Sequence, residues 1–160
     1  DAQTQSFADF FQHPVLLDPD QEALEEIPDL AAQGHPSVKI FLSFKRFDRN
    51  VEGFLKAMRI AAEVGSVVLL HCEDAALMGC CGELVREAGL TSHRHYPETR
   101  PVVAERIATE RAIGFCEISG AATYIVHLSS QEALDVCRGG RARGLPLYVE
   151  TYKPSRLFPQ

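Results

Sequence analysis

Ser37-Val38-Lys39-Ile40-Phe41-Leu42-Ser43 is an apolar run of strand length with one cation inside it. Such a run predicts a strand buried on both faces, as in a parallel sheet. The pattern recurs on either side. Residues 66–71 (SVVLLH) and 123–128 (TYIVHL) read as two more buried strands, and residues 147–150 as another. Residues 10–17 read as the first strand, ending at Asp18-Pro19-Asp20.

The intervening segments carry helical spacing. Over residues 50–64 the apolar positions are Val51, Phe54, Leu55, Met58 and Ala62, one stripe of a helix. Further helices are predicted over residues 19–33, 75–88, 102–119 and 130–143, each followed by a glycine stop signal. Asp18 is the expected N-cap of the first, with Pro19 at its first position and Pro28 as a bend or break. Residues 46–50 read as a polar loop, and residues 90–101 as a longer irregular insert carrying His93, His95, Tyr96 and Arg100.

Strand and helix alternate throughout, which predicts an α/β domain with a parallel sheet. An open doubly wound sheet and a closed (β/α)8 barrel compete. No G-x-G-x-x-G follows the first strand and no P-loop occurs, so a nucleotide-binding reading loses its main support.

Composition narrows the function. The 160 residues are 46% hydrophobic and 24% charged, with a net charge of −6, which excludes a basic nucleic-acid footprint. The cationic stretch 138–143 is diluted by Gly139 and Gly140 and reads as a solvated helix end. Five cysteines without a C-x-x-C pair argue against a disulfide framework and for a reducing, cytoplasmic setting. Cys80-Cys81, in an apolar helical run, are expected to be buried thiols. No apolar run is long enough to span a bilayer. The first residue is Asp, so the chain is expected to begin partway through a longer product.

Three polar residues stand in apolar strands: Lys39 inside one, His71 at the end of another, and His127 near the end of a third. Singly, a strand lysine usually carries its ammonium out to water, and a histidine after a strand is usually structural. Jointly they occupy equivalent places in a repeating unit. In a barrel those places converge at the C-terminal ends of the strands. Histidine is the common transition-metal ligand, and a buried lysine is readily deprotonated. A neutral amine can take up carbon dioxide to form a carbamate, an anion able to bridge two cations.

Five segments, in order, resemble the hydantoinase/dihydropyrimidinase family of cyclic amidohydrolases. Ser37-Val38-Lys39-Ile40-Phe41-Leu42 resembles its S-x-K-x-F-x strand, Leu70-His71-Cys72-Glu73-Asp74 its V-H-A-E-N segment, and Ile125-Val126-His127-Leu128-Ser129-Ser130 its I-V-H-L-S segment. Tyr96-Pro97-Glu98-Thr99-Arg100-Pro101 with Glu105 resembles H-x-x-x-R-P…E, with Tyr96 in place of the histidine, and Glu150-Thr151 resembles E-T. The likeness covers residues 10–151.

The resemblance implies a TIM-type (β/α)8 barrel, of which residues 1–160 form one partial domain holding about strands three to seven. It implies two divalent ions, usually zinc, bridged by Lys39 carboxylated by CO2, with His71 and His127 on the more exposed ion. A hydroxide between the ions would attack the carbonyl of a small cyclic amide, a hydantoin or dihydropyrimidine. It further implies a cytoplasmic homo-oligomer, tetramer or dimer, with no nucleic-acid or membrane partner.

Some family features are absent. The H-x-H pair of the first barrel strand and the Asp of the eighth have no counterpart; His93-Arg94-His95 lies in the insert and reads as loop histidines near the site mouth. Residues 152–160 depart from the family's C-P-Q-Y-L-like continuation. Phe44 stands where hydantoinases carry a tyrosine that holds the carbonyl oxygen, and phenylalanine cannot donate a hydrogen bond. His71-Cys72-Glu73-Asp74 also resembles the H-C-E-D of some dihydroorotases. Dihydroorotase and allantoinase activities therefore stand as rivals, as does a non-catalytic scaffold of the collapsin response mediator type.

Overall fold

A computed structural model describes residues 2–151. Five strands form one parallel sheet: β1 (Val15–Leu16), β2 (Ser37–Phe41), β3 (Val67–His71), β4 (Thr123–Ile125) and β5 (Leu147–Val149). Each strand pairs with the next in sequence, from β1 to β5 without a reversal. That order separates the two competing architectures. A doubly wound sheet reverses its strand order at a switch point and carries helices on both faces. Here α2 (Gln21–Ala32), α4 (Val51–Glu63), α6 (Val102–Ser119) and α7 (Gln131–Ala142) pack successively on one another as a single layer. The fold is a five-strand sector of the barrel type.

Burial alternates along the strands. Val38, Ile40, Val68, Leu70, Ile125 and Leu147 face the helices and are buried. Lys39, Phe41, Leu69 and His71 face the other way and keep part of their surface. The expectation of strands buried on both faces is therefore corrected. One helix layer covers one face, and no second layer covers the other among the described residues. Each large helix-facing side chain contributes about 1.5–3 kcal/mol from its burial. Gly140 lets α7 lie close, because a Cβ there would meet Leu147 Cδ1 at 2.6 Å.

Helix ends follow local chemistry. Asn50, Asp74 and Ser130 cap α4, α5 (Ala75–Glu87) and α7 by accepting backbone N–H groups. The first cap is a correction: Asp20, not Asp18, accepts from Ala23 N at 2.9 Å. Asp18 instead accepts from Asn50 Nδ2 at 2.9 Å. Pro28 sits inside α2, which runs through it unbroken.

Other expectations fail where side-chain anchoring decides. The first strand shrinks to β1, and Phe10 and Phe11 are exposed. Ala2–Gln5 forms a short helix, α1. The polar loop at 46–50 is instead α3 (Lys45–Arg49), pinned by buried Phe47. The insert contains a 3-10 helix, His93–Thr99. Cys80 is exposed and Cys81 half-buried, against expectation, because α5 buries only Ala75. The cationic 138–143 stretch is solvated as expected, with Arg138 on Asp135 and Arg143 on Glu117. Among the described residues no helix is long and apolar enough to cross a membrane. The departure at 152–160 lies outside the described residues.

Candidate metal centre

The sheet register sets the site. Phe41 pairs with His71, and Leu70 with Ile125, so His71 and the segment after β4 leave the sheet side by side. The His71 and His127 rings meet edge to face, with centroids 4.6 Å apart. His127 lies beyond β4 rather than within it, at a φ of 42°. That left-handed backbone costs a non-glycine residue about 1 kcal/mol, although histidine tolerates it better than most.

Two carboxylates hold this bend. Glu150 Oε1 accepts from His127 N at 3.3 Å, and Glu150 Oε2 from the Tyr124 hydroxyl at 3.1 Å. Glu105, on the first turns of α6, accepts from Ser129 N at 2.7 Å and Ser130 N at 2.8 Å. Ser130 caps α7, so Glu105 also places negative charge at that helix's N-terminus, the favourable sign for the helix dipole.

Lys39 extends from the middle of β2 on the same face. Its Nζ is buried without a hydrogen-bond partner, 4.7 Å from the centre of the Phe41 ring. Burial lowers its pKa to about 8, against the pull of nearby Glu150. Burial also drives the Cys72 thiol far up, so it stays neutral and supplies no counter-charge. An unpartnered buried amine is costly, and a neutral one beside two histidines is chemically able to become a carbamate.

Burial, then the neighbouring His71, hold His127 below the ordinary histidine range, so it is neutral at pH 7. Glu73 accepts from His71 Nε2 at 2.6 Å and from the Arg100 guanidinium. Burial works to raise the Glu73 pKa, but these two hydrogen bonds outweigh it and hold the carboxyl below its usual value. The Glu73 contact engages His71 through Nε2 and leaves Nδ1 outside it.

A cavity of about 620 Å³ opens here, lined by His71, Glu73, Tyr96, Arg100, Glu105 and His127 among others. Tyr96 lies against Arg100, at 4.9 Å from ring centre to guanidinium carbon. His95 is engaged elsewhere, with Nδ1 2.7 Å from Glu98. His93 and His95 line a separate, smaller hollow and lie in the 3-10 helix rather than in a loop at the site mouth. Phe44 caps α3 from its N-terminus and stacks on Phe41 at 4.9 Å, half-exposed.

The three residues singled out from sequence fall on one face of the sheet, and two of them touch. Among the described residues, no three His, Cys, Asp or Glu side chains form a metal site by themselves. Glu73, Arg100, Glu105 and Glu150 join the site only through the tertiary structure. Their only signal in the sequence is membership of matched segments.

The chain is similar in sequence and in structure to known hydantoinases. The chain is 34% identical over 151 residues to D-hydantoinase of Streptomyces coelicolor, covering 94% of this chain and 32% of that protein. It is 37% identical over 145 residues to D-phenylhydantoinase of Escherichia coli, covering 89% of this chain and 31% of that protein. Among solved structures, D-hydantoinase (dihydropyrimidinase) from Thermus sp. superposes with a TM-score of 0.88 at 34% identity, over 96% of this chain and 34% of that one. The chain thus spans about a third of the length of these relatives. No family model matches it.

Proposed function

We propose, because this chain belongs to the hydantoinase/dihydropyrimidinase family of cyclic amidohydrolases over about a third of its relatives' length, that the protein carrying it hydrolyses a C–N bond of a small cyclic amide or imide. The substrate class is a hydantoin or dihydropyrimidine ring. Residues 1–160 would be one partial barrel domain. Lys39, His71 and His127 are its share of the catalytic centre. The observation that carries this reading is the buried, unpartnered Nζ of Lys39 on the strand beside the His71–His127 pair.

Two divalent ions, zinc by family resemblance, would polarise the carbonyl and provide a nucleophile at neutral pH. Lys39 contributes by forming an N–C bond to carbon dioxide and losing a proton, which turns an unpartnered amine into a carboxylate-like ligand. A Lys39 pKa of about 8 keeps a useful fraction of the amine neutral at physiological pH. His71 offers Nδ1, while His127 is kept neutral by its surroundings. Tyr96 and Arg100 line the cavity and would bound the ring's substituent. Donors completing the site would be the family's first-strand H-x-H pair and eighth-strand Asp. A reducing cytoplasmic location fits the free cysteines Cys72, Cys80, Cys81, Cys116 and Cys137. The assembly proposed is a dimer or tetramer.

Phe44 favours one narrower variant of this reading. Lacking a hydroxyl at that point of the rim, the protein would take its oxyanion donor from elsewhere or handle a related ring, as dihydroorotases or allantoinases do. The test is the metal content of the full-length protein, purified with bicarbonate, beside Lys39→Ala. About two ions per chain, lost in the variant, support the reading and lead to a screen of cyclic amides. Metal-free protein in both cases moves the assignment to a scaffold of the collapsin response mediator type.

A further inference from the structure

We propose that Glu73 is a positioning residue, locking the tautomer and ring orientation of His71, and that Arg100 holds Glu73 in place. The inference rests on the metal-site reading for its consequence, but on hydrogen-bond geometry for its substance.

Glu73 follows His71 by two residues, just past the end of β3. Its carboxylate lies between His71 Nε2, at 2.6 Å, and the Arg100 guanidinium. The His71 and Glu73 side chains are only 18% and 19% exposed, so the contact is largely shielded from water. Arg100 is itself constrained. It lies against the Tyr96 ring at 4.9 Å and 3.1 Å from Met78 Sδ, on the first turn of α5. The chain leaves β3, passes through α5 and the 3-10 helix, and returns Arg100 to the carboxylate beside the strand it left.

The consequence is chemical. An acceptor fixed at Nε2 favours, in the neutral ring, the tautomer with its proton on Nε2 and its lone pair on Nδ1. Rotation of the ring would break the bond to Glu73 while the ring remains hemmed in by Phe41 at 5.4 Å and His127 at 4.6 Å. A carboxylate behind a ligand histidine fixes its orientation and strengthens it as a donor. If Glu73 were only a partner for Arg100, its closeness to Nε2 would have no effect on His71.

Two measurements on the full-length protein test this, with Glu73→Gln, Glu73→Ala and Arg100→Met. The first is the His71 tautomer in metal-free protein, by nitrogen NMR of histidine-labelled samples. The second is zinc affinity by competition with a chromogenic chelator. The expected result is an Nε2–H tautomer in the parent, mixed tautomers in Glu73→Ala, and zinc binding weakened about 10- to 100-fold there. Glu73→Gln, whose amide can donate as well as accept, should lose the fixed tautomer too and group with Glu73→Ala rather than with the parent. Arg100→Met should fall between. A Glu73→Ala protein with an unchanged tautomer and unchanged zinc affinity overturns the inference while leaving the proposed function standing. A parent protein that binds no zinc, yet changes tautomer in Glu73→Ala, overturns the proposed function and supports the inference.

Discussion

The two faces of this sheet are built from alternate residues of the same strands. In β2, Val38 and Ile40 point to the helices, and Lys39 and Phe41 point away. In β3, Val68 and Leu70 are buried, and Leu69 and His71 keep part of their surface. One face is closed by α2, α4, α6 and α7 and carries stability. The other holds the amine and the imidazole, the groups of the proposed metal site. The lesson is that adjacent positions answer to different demands. A substitution on one face should move stability and spare the site, and its neighbour should do the reverse.

The largest effect expected is on the chemical face. Lys39→Met should reduce hydrolysis of a cyclic amide by about a thousandfold or more, since metal-derived stabilisation of several kcal/mol is lost. Its denaturation midpoint should stay level or rise, because an unpartnered buried amine is replaced by an apolar chain of similar length. A large loss of stability would show that Lys39 serves the fold, and would break the comparison.

On the helix-facing side, Ile40→Ala should cost about 2–5 kcal/mol of unfolding free energy, read by urea denaturation. Metal content in the folded fraction should be unaffected. Glu105→Gln crosses between the two faces, because it reaches from α6 to the backbone beyond β4. Weakening its two charge-assisted bonds to Ser129 and Ser130 should cost about 1.5–3 kcal/mol. It should also loosen the His127 bend, seen as faster amide exchange at residues 127–130.

The smallest effect is a pH dependence. Lys39 has a folded pKa of about 8 against an ordinary 10.5. Between those values the unfolded chain keeps the proton that the folded chain releases, so this group makes stability rise with pH from about 8 to 10.5. Below about 8 the charged amine opposes folding in full. The metal-free parent minus Lys39→Met difference should therefore shrink across that window. A flat difference would mean that Lys39 reaches water more freely than its surroundings indicate.

Helices and strands with strong periodicity were legible from the chain alone. Residues 102–119 form α6 with the expected bounds, and α4, α5 and α7 differ from expectation only at their ends. Illegible were elements decided by one anchoring residue. Phe47 turns a polar stretch into α3 because its ring finds Phe54 and Phe115 across the layer. Phe10 and Phe11, equally apolar, find no such cover and make no strand. Cys80 and Cys81 depart from expectation for the same reason: an apolar helix face says what could be buried, and only a neighbour buries it.

For the site, sequence by itself determined which residues could matter. A lysine and two histidines in equivalent places of strand–helix units carry their chemistry in their identity and spacing. The structure decided how they are held. Only parallel pairing from β2 to β4 brings the rings of His71 and His127 to 4.6 Å and leaves the Lys39 amine without a partner. Only the return of a long crossover sets Arg100 behind Glu73, and only α6 carries Glu105 to the bend at His127. Periodicity is a local property that neighbouring residues reveal, whereas hydrogen bonds between residues far apart in sequence exist only once the chain has closed on itself.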